Sequence, residues 1–545
     1  MVKNKRMALA LAAAVTAASI TGCSGSNSNS TPAVNNQAAK QETAASNLNE
    51  TGFPIVKEPI TLRFFTGKSP TNGNKFEDTL VWSEYADMSN VNVQFELIPF
   101  ENLTNQRNLV LASGEYPDAF YSARVSSNEL YKYGKQGVFV PLNDMLEQYA
   151  PNISALLEKY PDIKRGLTMP DGNIYSLPTI YDPEFLSMLI GMPFWVKQEW
   201  LEQLNMEEPA TVDELYAYLK AVKNTDLNNN GKQDEVPLSA WNLNEIIDML
   251  KGSWGLGTRG LGHKMVDVDP KTNELRFTKT TNEYKELLQY MNKLYAEGLI
   301  DQEIFTIKQT SLNAKGQAGL LGSVISPNPA AVMGQKGYIG LGSLEGPHGD
   351  KLFSHVKVPL VWVGAFAITS ANKHPEATLR WIDYFYGEEG SKFYFLGKKD
   401  MTYTESADGT IQYVDEIINN PQGLTQDQAS VKYFTWMGGS YPSFATQHNF
   451  MGSEALPEAL EAADKVKDVA VQEIWSNFSY TEEESTFMSS TGKDMSDFIT
   501  EAEAKFINGS LSFDEWDNYV KTLDKMGKDQ YMQIYQAAYD RYKAS

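Results

Sequence analysis

Ile60-Thr61-Leu62-Arg63-Phe64-Phe65 alternates apolar and polar side chains, the period-two pattern of a β-strand, and a Gly- and Asn-containing loop follows over residues 66–74. A helical stretch over about 75–88 leads into Val91-Asn92-Val93-Gln94-Phe95-Glu96-Leu97, which alternates again as a second strand. Residues 103–112 read as a helix stopped at Ser113-Gly114, and Asp118-Ala119-Phe120-Tyr121 as a short third strand. Strands alternating with helices of this length predict parallel βαβ units and an α/β fold. Such sheets place their binding loops at the carboxyl ends of the strands, here residues 66–74 and 122–128.

Further along, Thr211-Val212-Asp213-Glu214 is a capping box, after which Leu215, Leu219 and Val222 fall on one helical face. Ser512-Phe513-Asp514-Glu515 reads as another, opening a helix with Trp516, Tyr519 and Leu523 on one face and ending near Gly527. Nearly everything from about 454 to 542 reads helical, and no fixed-period repeat occurs. A βαβ beginning with a long helical end fits a two-lobed α/β protein finished by helices.

Upstream of the first strand lies a different kind of sequence. Lys3, Lys5 and Arg6 precede a short apolar run over residues 7–20, too short to span a bilayer, which reads as an export signal. It ends Ile20-Thr21-Gly22-Cys23, which resembles the lipobox of bacterial lipoproteins, in which the cysteine is lipidated and becomes the first residue. Cys23 is the only cysteine of the chain, so an internal disulfide and any site built on several thiolates are excluded. Residues 24–50 are rich in Ser, Asn, Ala and Gln without an aromatic side chain, and read as a flexible tether. The 545 residues carry 47 basic and 69 acidic side chains, a net charge of −22 that moves to −25 once residues 1–22, with three basic and no acidic groups, are removed. That charge repels phosphate backbones and excludes sequence-independent nucleic-acid binding.

Asp226-Leu227-Asn228-Asn229-Asn230-Gly231-Lys232-Gln233-Asp234-Glu235 has the first part of an EF-hand-type calcium loop. Oxygen side chains stand at relative positions 1, 3, 5 and 9 (Asp226, Asn228, Asn230, Asp234), a glycine at 6 and Lys232 at 7 to offer its backbone carbonyl. Pro237 occupies position 12, where a bidentate glutamate is usual. Hard oxygen donors suit Ca²⁺ as a structural ion.

Enzymatic signatures are sparse. The five histidines (His263, His348, His355, His374 and His448) show no zinc-ligand spacing, and no G-x-S-x-G element occurs. Gly255-Leu256-Gly257-Thr258-Arg259-Gly260 matches a dinucleotide fingerprint only on paper, since it follows a tryptophan rather than a strand; it reads as a loop.

Several segments, in order, resemble the bacterial extracellular solute-binding proteins, the lipoprotein receptors of ABC importers, and within them the large branch of oligosaccharide- and alginate-binding receptors. They are Ala112-Ser113-Gly114-Glu115-Tyr116-Pro117-Asp118, Gly137-Val138-Phe139-Val140-Pro141-Leu142 and Asp171-Gly172-Asn173-Ile174-Tyr175-Ser176-Leu177-Pro178. Phe194-Trp195-Val196-Lys197-Gln198-Glu199-Trp200-Leu201, Arg380-Trp381-Ile382-Asp383-Tyr384-Phe385 and the tail from Trp516 to Tyr542 continue the likeness over almost all of the chain beyond the tether. The resemblance implies a type II periplasmic-binding-protein-like fold, two lobes around a ligand cleft with hinge crossovers and a helical C-terminal part. The expected divisions are a signal peptide over 1–22, the lipidated Cys23 and tether over 23–50, lobe one over 51–180 plus 364–425, and lobe two over 181–363 plus 426–545. It also implies Glu235 as the carboxylate that replaces the missing ligand of the calcium loop.

By the same likeness the expected function is that of a monomeric, lipid-anchored extracytoplasmic receptor that captures an oligosaccharide and presents it to an ABC permease, without catalysis. A surface-anchored glycan-degrading enzyme, or a receptor for peptides or other small polar solutes, are the alternatives. Sugars stack on aromatic rings and bond to planar polar groups. Position then selects Tyr121 and Arg124 beyond the third strand, Tyr181 and Asp182 at the first crossover, Trp362 at the second, Trp436 and Tyr441 in a Gly-rich loop near the third, and Trp254 beside Gly252 and Gly255.

Overall fold

The computed structural model describes residues 47–73, 75–407 and 409–544. The expected signal peptide, Cys23 and the tether up to residue 46 lie outside the described residues. Residues 47–50, expected to end the tether, belong to the fold. Leu48 bridges Val56, the Asn47 side chain pairs with the backbone of Glu58, and Arg380 donates to the carbonyls of Asn49 and Gly52. No helix among the described residues is long and apolar enough to cross a membrane.

In chain order the strands are β1 (Ile60–Lys68), β2 (Val91–Pro99), β3 (Ala119–Val125), β4 (Leu177–Tyr181), β5 (Phe194–Lys197), β6 (Val236–Ala240), β7 (Val266–Val268), β8 (Leu275–Phe277), β9 (Leu321–Ile325), β10 (Tyr338–Gly340), β11 (Leu360–Ile368), β12 (Tyr403–Glu405), β13 (Ile411–Tyr413) and β14 (Ser443–Ala445). Six of them form one sheet in the order β14-β4-β11-β3-β1-β2, four a second in the order β10-β5-β9-β6, and the rest two hairpins. β1 pairs in parallel with β2 and β3, as the βαβ reading requires, whereas β11 runs antiparallel between β3 and β4. The alternation of β1 fades after Arg63 because Phe64, Phe65 and Thr66 are all buried: helices cover both faces of the sheet. Gly67 lies so close to β3 that a Cβ there would stand 2.2 Å from the Ser122 carbonyl oxygen.

The expected helix over 75–88 is shorter, Leu80–Ser89, since β1 runs on to Lys68 and residues 75–79 stay outside the helix, with Thr79 bonded to the Phe76 carbonyl. The Thr211 capping box forms as read, with Thr211 and Glu214 exchanging hydrogen bonds. The Ser512 box does not. Its hydroxyl caps Asp514 on a 3-10 turn, Phe513–Glu515, and Glu515 turns to Asn518 instead.

Three passages join the sheets. The first leaves β4 and runs through the helix Leu186–Ile190 into β5. The second returns after β10, with Lys357 bonded to the Leu189 carbonyl and Pro359 to the Tyr181 amide, so it ends before β11, and Trp362, expected at this crossover, lies inside that strand. The third was expected near residue 426, and the structure moves it to 446–457. Before that, Lys432 and Thr435 bond to Leu80, Asn72 and Trp82, and β14 pairs with β4; only then does the helix Pro457–Val466 pack on β10. A three-residue strand has no periodicity to read, which is why the sequence hides this return.

Candidate functional site

The carboxyl ends of β1, β2 and β3 share one edge of the first sheet with the amino end of antiparallel β11. Here β3 departs from regular geometry. Ser122 and Arg124 have φ of 49° and 51°, left-handed values uncommon outside glycine, and β11 shifts register between Gly364 and Phe366 opposite them. This kinked end carries Arg124, whose guanidinium lies 3.7 Å from the centre of the Phe100 ring and 4.8 Å from that of Trp362. One of its N–H groups donates to the Gly438 carbonyl at 3.4 Å, and its buried Nε has no acceptor. Arg124 and Trp362, selected from sequence, therefore share one half-buried surface.

The second sheet offers a matching edge. β6 and β9 are parallel, and the helix Pro329–Met333 at their carboxyl ends packs on the helix Gln426–Ser430 of the first lobe. Trp241 directly follows β6. Trp241 and Trp362 are the two of ten tryptophans that are not buried, and they belong to opposite lobes. Trp241 holds its Nε1 buried without an acceptor. Nearby, Glu245 approaches Nε2 of the fully buried His355 at 3.4 Å.

Five of the six selected aromatics are buried, Tyr181 among them, and four of these pack as core residues. Tyr121 is 1% exposed, bonded through its hydroxyl to Tyr394 and packed against Phe64 and Trp82. Trp436 packs among Phe395, Phe434 and Phe450, although its Nε1 has no acceptor. Tyr441 lies against Phe395 and Tyr394, and Trp254 lies against Tyr290 beneath its 3-10 turn. Flanking glycines suggested exposed loops, but tertiary packing covers these rings. Asp182 shapes the first crossover, accepting from the Glu184 amide at 3.1 Å while its own N–H donates to the Ala445 carbonyl.

Tyr181 lies beside a carboxylate, Glu454, that the sequence did not single out. Burial pushes its phenol up, as it does that of neighbouring Tyr441. Both feel the carboxylate of Glu454 in the turn Ser453–Ala455. Burial raises Glu454 as well, and raises Asp427, on the helix Gln426–Ser430, to about 6 with Glu454 adding to the effect. Neither residue belongs to a motif; the third passage brings Glu454 to the first, and the first-lobe helix Gln426–Ser430 carries Asp427.

The 226–235 loop follows the helix Val212–Lys223 and leads into β6. Its turn depends on left-handed backbone at Asn229 and Gly231, with φ of 58° and 81°. Asp226 accepts from the amides of Asn230 and Gly231, and Asn230 Oδ1 from that of Lys232. The Asn228 and Asn230 side-chain amides both donate to Asp234, holding its carboxyl below the ordinary value. Glu235 Oε1 accepts from Leu227 and Asn228, whereas its Oε2 is buried with no partner. Among the described residues no three His, Cys, Asp or Glu side chains gather at one place as a candidate metal cluster. The loop's oxygen set is mixed, half of it amide, and its amide N–H groups stand where positive charge would satisfy Asp234.

A family model described as bacterial extracellular solute-binding protein matches residues 71–392. The fructooligosaccharide ABC transporter substrate-binding protein FusA of Streptococcus pneumoniae is 30% identical over 511 residues, covering 90% of this chain and 92% of that protein. A solved structure of an S. pneumoniae FusA EF-hand mutant in complex with fructo-nystose has a TM-score of 0.73 at 26% identity, over 89% of this chain and 100% of that one. The alginate-binding protein AlgQ2, in a structure without calcium ion, has a TM-score of 0.71 at 25% identity, over 90% of this chain and 100% of the other.

Proposed function

Because the chain belongs to the bacterial extracellular solute-binding proteins, we propose that it is the substrate receptor of an ABC importer and that its solute is an oligosaccharide held between the two sheets. The observation that carries the reading is the likeness to FusA, which runs through nearly the whole of both chains. The site's chemistry supports it. An indole on each lobe supplies an apolar face for a sugar ring, and Arg124 Nε and Trp241 Nε1 are buried donors still without acceptors. A ligand touching both lobes favours the closed arrangement, which a permease then recognises. The receptor binds without transforming its ligand, works as a monomer, and is held at the membrane through a lipid on Cys23.

The loop over 226–235 is read as a structural calcium site. Asp226, Asn228, Asn230, Asp234 and Glu235 would hold the ion with the carbonyl of Lys232. A half-turn of the two Asn amides exchanges nitrogen for oxygen at each, and the orphaned Glu235 Oε2 is a donor in waiting. The ion would supply positive charge that ties the start of β6 to the preceding helix.

A melting-temperature screen of the purified chain against oligosaccharides and peptides tests the ligand class, since a ligand stabilises the fold that binds it. Stabilisation by oligosaccharides with no released products supports a receptor. Stabilisation by peptides alone overturns the sugar reading, and turnover of the glycan overturns the non-catalytic one.

A further inference from the structure

Two carboxylates, Asp427 and Glu454, stand where the lobes meet. Asp427 is on the first-lobe helix Gln426–Ser430 that packs on the second-lobe helix Pro329–Met333. Glu454 belongs to the turn Ser453–Ala455, which packs on the first crossover helix, and Ser187 of that helix bonds its carbonyl oxygen at 2.8 Å. Its carboxylate accepts from Ser453 Oγ at 2.8 Å and lies within the electrostatic reach of Tyr181, Tyr441 and Asp427. Neither acid forms an ion pair among the described residues.

Two cations are near. Lys357, from the second passage, draws Glu454 downward, and Arg124 is occupied by the Phe100 and Trp362 rings and the Gly438 carbonyl. Their influence does not offset burial, because both carboxyls end above their ordinary values. The wall around Tyr181 is thus a poor place for another negative charge and a good acceptor for hydroxyl protons.

We propose that Asp427 and Glu454 select the ligand by charge: the cleft takes neutral oligosaccharides, whose hydroxyls donate to this pair, and rejects oligosaccharides that carry uronate groups. The inference rests on the oligosaccharide reading and deepens it. A like charge facing a buried acid is a repulsive element, the means by which one binding fold separates chemically similar partners.

Titration calorimetry of the full chain at pH 7.5 tests it, with a neutral fructan tetrasaccharide on one side and trigalacturonate and a mannuronate trimer on the other. The neutral sugar is expected to bind, and the uronates at least tenfold more weakly, about 1.4 kcal/mol. The carboxamide variants Asp427→Asn and Glu454→Gln keep shape and acceptor oxygens. They are expected to narrow that gap at least tenfold when combined, with the neutral sugar still bound as the control for folding.

The unaltered chain gives the same contrast without mutation. At pH 5 Asp427 is protonated while the uronates stay ionised, and the Tyr181 and Tyr441 phenols, both pushed up by burial, stay neutral as they are at pH 7.5, so the gap narrows there too. Equal affinity for neutral and acidic sugars at pH 7.5, or a gap unmoved by both the variants and acid, overturns the selection while leaving an oligosaccharide receptor. Binding of neither sugar class overturns the oligosaccharide reading itself, and the selection with it.

Discussion

The two lobes are held together by different chemistry. The first is built on a continuous run of rings. Trp82 stacks on Trp381 at 5.3 Å and 14°, Phe64 meets Trp381 edge-on at 5.4 Å, and Tyr85 meets Phe385 at 4.7 Å. The second adds ion pairs sunk into its core to rings of its own, such as Trp475, Phe478 and Tyr539. Arg276 meets Asp267 at 2.8 Å, Lys279 meets Glu503 at 2.9 Å and Lys315 meets Asp301 at 2.7 Å, with each acid side chain 5% exposed or less. Arg107–Glu129, at 2.8 Å, is a buried pair of the first lobe. Ring packing is sensitive to volume and indifferent to pH; a buried pair tolerates small shape changes but not the loss of one partner.

The largest effects should expose that contrast. Trp381→Ala is expected to cost about 3–5 kcal/mol in urea unfolding by emptying the ring cluster. Asp267→Ala is expected to cost a similar ~3–5 kcal/mol, since it strands Arg276 and releases the Gly257 amide that Asp267 also binds. An Asp267→Ala loss below about 1 kcal/mol would erase the distinction between the lobes.

Acidity should act on the lobes in opposite directions. Asp383 caps the amides of Asn152 and Ile153 in the first lobe, and burial raises its carboxyl to about 6. The fold therefore holds this proton more tightly than the unfolded chain does. Its contribution is fully present below pH ~4 and lost as pH rises through 6, on the order of 3 kcal/mol. His263 in the second lobe is the reverse. Burial lowers it to about 4, so its contribution is present above pH ~6.5 and lost as pH falls through 4. Stability profiles of Asp383→Asn and His263→Gln, each subtracted from that of the parent, should slope in opposite senses; parallel slopes would refute the assignment.

Chelation should be felt next. If the 226–235 loop holds calcium, EGTA is expected to lower the melting temperature, by about 2.7 kcal/mol of stability at a hundredfold excess of ion over its dissociation constant. Asp226→Ala should abolish the response, and an unchanged melting curve in EGTA would remove the ion from the second lobe's account. Smallest of all, Tyr121→Phe keeps the ring and deletes only its hydroxyl, which bonds Tyr394, for an expected ~1 kcal/mol and no change in sugar affinity. A large loss of affinity would return Tyr121 to the cleft.

What the sequence made legible follows the range of the interactions. β1, β2 and the helix Leu103–Ser113 were readable because local pattern and a Ser-Gly stop specify them, as was the Thr211 cap, whose two partners lie three residues apart. The tight turn of the 226–235 loop, left-handed at Asn229 and Gly231, follows from local sequence for the same reason. The cleft was not. Trp362 and Trp436 look alike in sequence; one is half-exposed under Arg124 and the other is 6% exposed among phenylalanines distant in the chain. Asp427 and Glu454 carry no local signal, since their meaning comes from β14 returning to β4 before the chain changes lobe.

That late return has a mechanical consequence. Two bodies on a single strand can swing, twist and slide apart. Here the passages near 182–193, 341–359 and 446–457 are bonded to one another side by side, Tyr181 to Pro359, Asp182 to Ala445 and Lys357 to Leu189. Three adjacent straps resist torsion and shear while leaving bending about their common line soft. Such a joint favours bending over the other motions, the same movement by which a captured ligand would shut the two halves.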